Sequence, residues 1–543
     1  MMPSILDKLD SLGDQHPHRL LYSYIDVNGN QIGGYSYESF LHRTKVIAGH
    51  LRKEHGFAAQ DRVLLAYPPG LEMICAFFGC VRAGLIPVPV YPPSSRGFQS
   101  ALYKMVHIAK DCQATGILTS KDYLGSLMTN LARRGVSSSG VDVDYISGLR
   151  WVVTEDFVDT VSDETFNGAS KILFLQYTSG STRDPKGVMV THENILHNCP
   201  LVIDHPAPIV VSWLPQYHDM GLIGCYLYPA LTSGTTYGFA PTDFIQRPTL
   251  WFDAIKTYGA SASAAPNFAY DYCLRAGRLS KESLESCDLS SLRLLMVAAE
   301  PVKPDTYTRF LQAFLPHGLK SESFSVAYGL AENTLAVSLG GRNIVSVNKN
   351  AIALGKARMT TEVSEIGAAT QIVSCGTPLQ GLTVKIVDPE KHVALEPGRI
   401  GEIWIAGESK CLGCWNNPEL TLKLFHARLV DDSPYDDGYL RTGDMGFFHD
   451  GELFVCGRIK DMIILRGQNY YPQDIENVVE KSSSLIRHNC VAAFQVQEDS
   501  EPALAIVAEV KNPRTLPDAR KIAAAVRNYL NVEVAMISFI APR

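Results

Sequence analysis

The chain has 543 residues, of which 46% are hydrophobic and 19% charged, and its formal net charge is −7. This length is too great for one compact core and indicates several subdomains, while the composition is that of an ordinary globular protein. The acidic balance gives no electrostatic footprint for nucleic acid or for an anionic membrane, so neither is expected as a partner. Twelve cysteines are scattered without a disulfide framework, which favours a reducing cytoplasm.

The amino-terminal segment lacks the features of a targeting sequence. Asp7 and Asp10 stand where a signal peptide has a basic start followed by an apolar run. The longest apolar candidate, residues 73–90, is interrupted by Arg82. The sequence therefore predicts no membrane-spanning segment and no integral membrane contact.

The first third of the chain alternates between two patterns. Short apolar runs, typical of buried strands, occupy residues 62–67, 85–90 and 116–119, and the pattern of buried helices occupies residues 70–84 and 97–111. Strands that alternate with helices predict parallel α/β layers.

Residues 176–188 read QYTSGSTRDPKGV and combine two glycines, four Ser/Thr hydroxyls and one lysine, Lys186. They follow a short apolar run at residues 172–175, and Thr191 is placed to cap a helix that begins near His192. Small residues let a backbone wrap closely around a ligand, and the hydroxyls and the lysine add donors and positive charge, which suits a polyphosphate. The alternative is a flexible polar linker, which has roughly even odds for a Gly/Ser-rich loop taken alone. The flanking strand and the lysine favour phosphate binding.

The pattern Thr-Ser-Gly-Ser-Thr-x-x-Pro-Lys-Gly at residues 178–187 resembles the phosphate loop of the adenylate-forming superfamily. This superfamily contains acyl-CoA synthetases, luciferases, peptide-synthetase adenylation domains and fatty acyl-AMP ligases, and the form with Arg183 is most similar to the last of these. Other motifs of the superfamily follow in order, so the resemblance spans nearly the whole chain. It implies that the phosphates of ATP are bound by Thr178, Ser179, Gly180, Ser181, Thr182, Lys186 and Gly187.

A second motif lies at residues 210–221, where a buried strand leads into a loop that holds His218 and Asp219. Taken alone, a His-Asp pair is more often a satisfied polar pair than a catalytic one. The resemblance implies that His218 lies beside the phosphates and orients the substrate carboxylate. Peptide-synthetase domains place an aspartate near here to hold an amino group, so Asp219 keeps that branch open.

Residues 259–270 are small and apolar, which is typical either of a turn in the core or of a pocket wall. In the superfamily this region lines the acyl pocket. The resemblance therefore implies substrate contacts from Trp213, His218, Met220, Gly221, Pro266, Phe268 and Tyr270.

Two further stretches resemble the adenine and metal sites of the superfamily. A buried strand at residues 292–299 and a loop at residues 325–333 imply nucleotide contacts from Ala299, Glu300, Tyr328 and Gly329. An aromatic ring can stack on adenine, and a carboxylate beside a triphosphate requires a cation such as Mg²⁺. As isolated residues, Tyr328 and Glu332 are more often a packed ring and a solvated acid. In this order and company, the resemblance implies that Tyr328 binds adenine and that Glu332 binds Mg²⁺.

Residues 341–371 are rich in Ala, Ser, Thr and Asn and have weak periodicity. One interpretation is a variable surface loop. The other, from the resemblance, is an insertion at about residues 343–366 that distinguishes fatty acyl-AMP ligases from acyl-CoA synthetases. Beyond it, alternation of apolar residues with a period of two predicts a small β subdomain at about residues 373–456.

The carboxyl-terminal motifs concern the ribose and the hinge. A carboxylate can accept hydrogen bonds from both ribose hydroxyls, and the resemblance implies this role for Asp444, with Arg458 beside it and Lys460 as the hinge. The resemblance also divides the chain into a large domain, residues 1–458, and a small one, residues 459–543. The superfamily carries a lysine-bearing segment shortly beyond the position of Arg543, so we expect the small domain to lack its last part.

These observations predict an α/β protein, with two layered α/β subdomains and a β subdomain followed by a small mobile α+β domain. The resemblance implies a fatty acyl-AMP ligase that uses ATP and Mg²⁺, with Lys186, His218 and Glu332 as catalytic residues. It activates a fatty acid to an acyl-adenylate and passes the acyl group to the phosphopantetheine of an acyl carrier protein. The alternatives are a long-chain acyl-CoA synthetase and a non-catalytic nucleotide- or lipid-binding homologue.

Overall fold

The computed structural model describes residues 4–93, 98–134, 142–158, 170–178, 185–202, 205–360, 369–431, 437–465, 468–498, 501–530 and 532–542. Four residues of the expected phosphate loop, Ser179, Gly180, Ser181 and Thr182, lie outside these ranges, as does part of the expected insertion. Within the described ranges, no helix has both the length and the apolar character needed to cross a bilayer.

The first part of the chain contains a parallel sheet, as its alternating pattern predicts, and it also contributes its first two strands to the large sheet described below. Its elements are α1 (Ile5–Gln15), β1 (Leu20–Ile25), β2 (Gln31–Ser36), α2 (Tyr37–Lys53), β3 (Arg62–Leu65), α3 (Leu71–Arg82), β4 (Ile86–Pro89), α4 (Phe98–Asp111), β5 (Gly116–Thr119), α5 (Lys121–Arg134), α6 (Val143–Ser147) and β6 (Arg150–Val153). A sheet of order β4-β3-β5-β6 is parallel throughout. The helix α3 is buried along most of its length, because its side chains are almost all apolar.

The middle of the chain begins with a hairpin and continues into a second layered unit. Its elements are β7 (Ile172–Thr178), β8 (Lys186–Thr191), α7 (His192–Val202), β9 (Ile209–Ser212), α8 (Asp219–Gly221), α9 (Tyr228–Ala230), β10 (Thr235–Gly238), α10 (Pro241–Gln246), α11 (Thr249–Tyr258), β11 (Ala262–Ala265), α12 (Asn267–Leu274), α13 (Lys281–Glu285), β12 (Leu294–Val297), α14 (Pro304–Phe314), β13 (Phe324–Gly329) and β14 (Ala336–Gly341). A π-helical segment, Leu222–Leu227, lies between α8 and α9. Thr191 caps α7 as expected, since its hydroxyl accepts a hydrogen bond from the Asn194 N–H at 3.0 Å.

The next elements complete the large sheet and form the β subdomain. They are β15 (Ile344–Asn348), α15 (Lys349–Ala353), β16 (Ala369–Val373), β17 (Thr377–Pro378), β18 (Thr383–Val387), β19 (Gly401–Ala406), α16 (Pro418–Phe425), β20 (Leu440–His449) and β21 (Glu452–Arg458). The nine-stranded sheet has the order β17-β14-β13-β12-β11-β9-β10-β1-β2, with a parallel centre, and β18-β19-β20-β21 is an antiparallel sheet.

The last elements form a separate α+β unit. They are β22 (Ile463–Leu465), β23 (Gln468–Tyr470), α17 (Pro472–Ser482), β24 (Ile486–Glu498), β25 (Glu501–Val510), α18 (Ala519–Leu530) and β26 (Val534–Ile540). Apolar side chains of α17 and α18, such as Ile475 and Val526, pack against Leu504 and Ile506 of β25 in a core of their own. The expected fold class is therefore confirmed, while the domain limits and the mobility of this unit stay predictions.

The region expected as an insertion has a defined place in the structure. β15 and β16 pair in an antiparallel hairpin, with α15 following β15. Val347 and Ile352 share a small hydrophobic core with Phe447 of the β subdomain, and Met462 and Tyr471 beyond Lys460 also belong to it. The described part of this region therefore contacts both sides of the expected hinge.

Candidate active site

A cavity of about 1260 Å³ opens where the parallel strands of the large sheet meet the β subdomain. Loops that follow the carboxyl ends of β9, β12 and β13 form much of its wall, which is the usual place for a ligand in an open α/β sheet. The structure brings many of the predicted residues together around this cavity, namely Thr178, Lys186, His218, Met220, Ala299, Tyr328, Gly329, Glu332, Asp444, Arg458 and Lys460.

A β-hairpin carries the expected phosphate loop. Thr178 and Lys186 are the cross-strand pair next to the loop, and Tyr177 pairs with Gly187. The Tyr177 ring packs so closely on Gly187 that a Cβ there would lie 2.8 Å from the tyrosine Cζ. The Tyr177 hydroxyl donates to the carboxylate of Asp111. Gly187 therefore supports the hairpin by close packing, while Thr178 and Lys186 reach the cavity.

His218 and Asp219 form a pair at the cavity wall. Nδ1 of His218 lies 2.7 Å from Oδ1 of Asp219, and the Met220 N–H donates to the same oxygen at 2.6 Å. Burial lowers the pKa of His218, but the hydrogen bond and the charge of Asp219 outweigh it, so the pKa lies above its usual value. With Nδ1 engaged in this way, Nε2 is the ring nitrogen available to a ligand.

Asp444 is the centre of a buried polar group on the opposite wall. The Tyr328 hydroxyl donates to Oδ2 of Asp444 at 2.6 Å, and Nε of Arg458 lies 3.3 Å from Oδ1. Asp444 and Arg458 are also cross-strand partners in β20 and β21. Burial raises the pKa of Asp444, although Tyr328 and Arg458 oppose this change.

Glu332 lies in a single 3-10 turn, Ala331–Asn333, after β13. The preceding strand β13 ends at Gly329, where a Cβ would lie 1.9 Å from the carbonyl oxygen of Leu335, so only glycine permits this close approach. Burial raises the pKa of Glu332, and the charges of Asp219 and Asp444 raise it further. A carboxylate in these surroundings suits a hard cation, which prefers oxygen ligands. No group of three or more His, Cys, Asp or Glu side chains able to hold a metal occurs in the described ranges.

Lys460 lies at the cavity in the 3-10 turn Ile459–Asp461, directly after β21. Burial lowers the pKa of Lys460, and the nearby charges of Arg458 and Lys186 act in the same direction. The expected hinge residue therefore lies among the cations that surround the cavity.

Several expected contacts do not line the cavity. These are Gly187, Trp213, Gly221, Pro266, Phe268, Tyr270 and Glu300. The Trp213 ring stacks on Phe244 at 4.1 Å in the core, and the buried Tyr270 hydroxyl donates to the Met296 carbonyl at 2.7 Å. These large rings fill space between the sheet and its helices, which explains why they do not reach the substrate side.

Glu300 and Gly221 have local structural roles. The Glu300 carboxylate accepts a hydrogen bond from the Phe268 N–H, in the first turn of α12, where a negative charge is favourable. At Gly221, a Cβ would lie 2.1 Å from the carbonyl oxygen of Pro215, so glycine allows the helix to pack against the preceding loop. Neither residue lines the cavity.

An apolar arm of the cavity was only partly foreseen from the sequence. It is lined by Val202, Val210, Gly224, Cys225, Ala262, Ala264, Leu294 and Met296. Ala262 and Leu294 are paired first residues of β11 and β12, so the arm extends to the amino ends of these strands. The small residues at 259–265 were consistent with a pocket wall in the sequence, whereas Val210 and Leu294 had the pattern of ordinary core residues.

Known proteins resemble this chain along nearly its whole length. The profile of the AMP-binding enzyme family matches residues 12–415. JamA, a medium-chain-fatty-acid–[acyl-carrier-protein] ligase of Moorena producens (strain JHB), is 34% identical over 519 residues, covering 94% of this chain and 85% of that protein. FadD26, a long-chain-fatty-acid–AMP ligase of Mycobacterium tuberculosis (strain ATCC 25618 / H37Rv), is 32% identical over 571 residues, covering 99% and 94%.

A solved structure agrees with these relatives. The crystal structure of a fatty acyl-adenylate ligase from L. pneumophila, in complex with acyl adenylate and pyrophosphate, superimposes with a TM-score of 0.75 at 34% identity. The match covers 99% of this chain and 93% of that one. Family profile, relatives and fold agree, and the chain belongs to the AMP-binding enzymes and, among them, to the fatty acyl-AMP ligases.

Proposed function

We propose that this protein activates a fatty acid with ATP, forming an acyl-adenylate and pyrophosphate, and then transfers the acyl group to the phosphopantetheine thiol of an acyl carrier protein. The observation that carries the proposal is one continuous cavity with a polar mouth and an apolar arm. The polar mouth suits ATP and the arm suits a hydrocarbon chain. The names of JamA and FadD26 and the ligands of the L. pneumophila structure support the same chemistry.

In the first step, a carboxylate oxygen attacks the α-phosphorus of ATP. A new phosphorus–oxygen bond forms while the bond to the bridging oxygen breaks, and pyrophosphate leaves with the electron pair. Both reactants are anionic, so positioning and charge neutralisation are the main contributions of the protein. We assign Lys186 and the loop that begins at Thr178 to the β- and γ-phosphates. Nε2 of His218, with Nδ1 bound to Asp219, orients the attacking carboxylate.

The ribose and the metal occupy the walls beside the phosphates in this proposal. Asp444 and Arg458 bind the ribose hydroxyls, and the backbone from Ala299 and the ring of Tyr328 surround the adenine. Glu332 would hold a Mg²⁺ ion, which would supply positive charge beside the phosphates.

The proposal also covers the place of the acyl chain, the cellular location and the domain limits. The apolar arm, which follows β11 and β12, receives the acyl chain. We place the reaction in the cytoplasm, because all twelve cysteines are free thiols and a reducing compartment keeps them so. The limits of the two domains stay as expected from the sequence, at residues 1–458 and 459–543.

The test measures pyrophosphate release with fatty acids of graded length, and product formation with either CoA or an acyl carrier protein as acceptor. Lys186→Ala should lower acyl-adenylate formation by on the order of 100-fold, because it removes charge that stabilises the transition state. Lys391→Ala is the matched control, since Lys391 is exposed and pairs only loosely with Asp388, at 3.9 Å. Equal rates for both variants would refute the phosphate site, and preferred transfer to CoA would favour the acyl-CoA synthetase alternative.

A further inference from the structure

Glu402 is a buried carboxylate that borders the cavity on β19 and has no part in the proposed reaction. Its side chain is only 2% exposed. Oε2 accepts hydrogen bonds from Trp404 Nε1 and Arg441 Nε, both at 2.9 Å, and lies 2.7 Å from Arg441 Nη2. Oε1 accepts a hydrogen bond from the Gly443 backbone N–H at 3.1 Å. Both oxygens are therefore used, one by side chains and one by the backbone.

The partners of Glu402 lie where the pairing of β19 with β20 is interrupted. Glu402 pairs with Met445 and Trp404 pairs with Arg441, so three residues of β20 oppose a single residue of β19. Gly443, in the middle of this bulge, has a φ of 73°, which favours glycine. Such a bulge redirects the side chains beside it and is often found next to an active site.

Asp444 is the last residue of the bulge. Glu402 stabilises the bulge by accepting hydrogen bonds from Gly443 and Arg441. Thr442 also stabilises it, because its hydroxyl donates to the Ile403 carbonyl at 2.8 Å and accepts from the Asp444 N–H at 3.0 Å. The Asp444 carboxylate then reaches Tyr328 and Arg458 at the cavity. The orientation of Asp444 is thus fixed through its neighbours along the chain.

A buried carboxylate is costly unless charged and polar partners satisfy it, and two of the partners of Glu402, Arg441 and Gly443, belong to the strand that carries Asp444. We propose that Glu402 is a positioning residue that presents Asp444 to the ribose hydroxyls and thereby sets the preference for ribonucleotides over deoxyribonucleotides. This inference rests on the proposed function, because it requires that Asp444 binds the ribose.

The experiment compares ATP with 2′-deoxy-ATP and 3′-deoxy-ATP as substrates of the full chain. Glu402→Gln retains the size of the side chain but removes the charge that holds Arg441 and weakens the bond from Gly443. We expect kcat/KM for ATP to fall on the order of tenfold and the values for 2′-deoxy-ATP and 3′-deoxy-ATP to fall less, because each deoxynucleotide has only one of the two hydroxyls whose hydrogen bond to Asp444 can be lost. The KM for the fatty acid and kcat at saturating ATP should stay within about twofold of wild type.

The control variant is Glu396→Gln, an exposed charge in the same β subdomain, which should leave all three nucleotides unaffected. Thr442→Val removes the hydroxyl that bonds to Ile403 and Asp444 in the bulge. It should also lower kcat/KM for ATP relative to the deoxynucleotides, so this variant provides the test if Glu402→Gln fails to fold. An equal loss for ATP and deoxynucleotides, or no loss for any of them, would overturn the inference.

Asp444→Asn separates the inference from the proposed function. Loss of ribose discrimination in Asp444→Asn but not in Glu402→Gln would refute only the positioning role. Full discrimination retained in Asp444→Asn would refute the ribose site itself, and the inference with it. If the ribose site and the positioning role are both correct, the double variant Glu402→Gln/Asp444→Asn should lose little more kcat/KM for ATP than Asp444→Asn alone, because the two residues act through one carboxylate.

Discussion

His218 depends on a neighbour for its protonation. The Asp219 carboxylate lies 2.7 Å from Nδ1 and, against the effect of burial, raises the pKa of the imidazole. A protonated ring is a cation beside the expected positions of the substrate carboxylate and the α-phosphate. When the ring is protonated, its positive charge faces the point where two anions must approach each other, and the Asp219 carboxylate lies at the other ring nitrogen.

We expect Asp219→Asn to move the pH dependence of acyl-adenylate formation. If the protonated imidazole orients the carboxylate, the rate falls as pH rises through the pKa of His218. The variant lowers this pKa, because it removes the charge and the hydrogen bond that raise it, so the fall should begin at a lower pH. The measurement is kcat/KM for the fatty acid from pH 5.5 to 9.

The control for this shift is His218→Gln. Lys186, Glu332 and Lys460 also face the cavity, and His218→Gln leaves all three in place. If the fall of kcat/KM occurs at the same pH in Asp219→Asn, or still occurs in His218→Gln, then a group other than His218 causes it.

Individual site residues differ in how far the sequence could predict them. Lys186, Glu332 and Asp444 lie in motifs whose chemistry is visible along the chain, and the structure brings all of them to one cavity. Glu402 could not be found in this way, because its role arises from a bulge in the partner strand. The position of Tyr270 in the core could not be read from the sequence, because an aromatic residue near a pocket and one in the core have the same local pattern.

At the scale of elements, short apolar strands were predictable and their partners were not. β5 has the bounds expected from its pattern, since an uninterrupted apolar run leaves little choice. The residues at 341–371 had weak periodicity, yet they contain β15, α15 and the start of β16. Here the structure comes from packing on the β subdomain, which a single segment does not encode.

The helix α15 links the expected insertion to the chain beyond the hinge. Ile352 is buried in the core that contains Met462 and Tyr471. The neighbouring Lys349 lies close enough to Asp474 of α17 to oppose the effect of burial, which raises the pKa of that carboxyl to about 6. An apolar contact and a charge therefore act together between α15 and the last unit.

We predict that Ile352→Ala increases transfer of the acyl group to CoA. Truncation leaves a cavity in the shared core and weakens the contact between α15 and the last unit. The last unit is expected to be mobile, and we expect a weaker contact to let it move and admit CoA. The measurement is acyl-CoA formed per acyl-adenylate, where a several-fold rise is expected.

Leu354→Ala is the matched control, because Leu354 follows α15 and is 63% exposed. Deletion of about residues 343–366 should give a larger rise than Ile352→Ala. Substantial acyl-CoA formation by the unaltered chain would contradict this account, as would an identical product ratio in all variants.

At the scale of the whole molecule, a cluster of charged side chains joins the last unit to the large sheet unit. Lys303, before α14, lies 3.3 Å from Glu480 of α17 and donates to the Asn489 side chain at 2.6 Å. His488 lies 2.9 Å from Asp271 of α12 and also contacts Glu480. These residues are far apart in sequence and have no motif, so their association could not be predicted before the structure.

The last prediction is that this cluster holds the arrangement in which Lys460 lies at the cavity. Lys303→Ala leaves the Glu480 carboxylate, whose side chain is only 12% exposed, without its lysine, and such a loss is costly for a largely buried pair. We expect the docked arrangement to become on the order of tenfold less favoured. The hinge segment around Lys460 should then be cleaved faster in limited proteolysis, and acyl-adenylate formation should slow several-fold. Lys281→Ala, which removes an exposed lysine from α13, should change neither quantity, and faster cleavage without any change in rate would show that docking does not position Lys460 for the reaction.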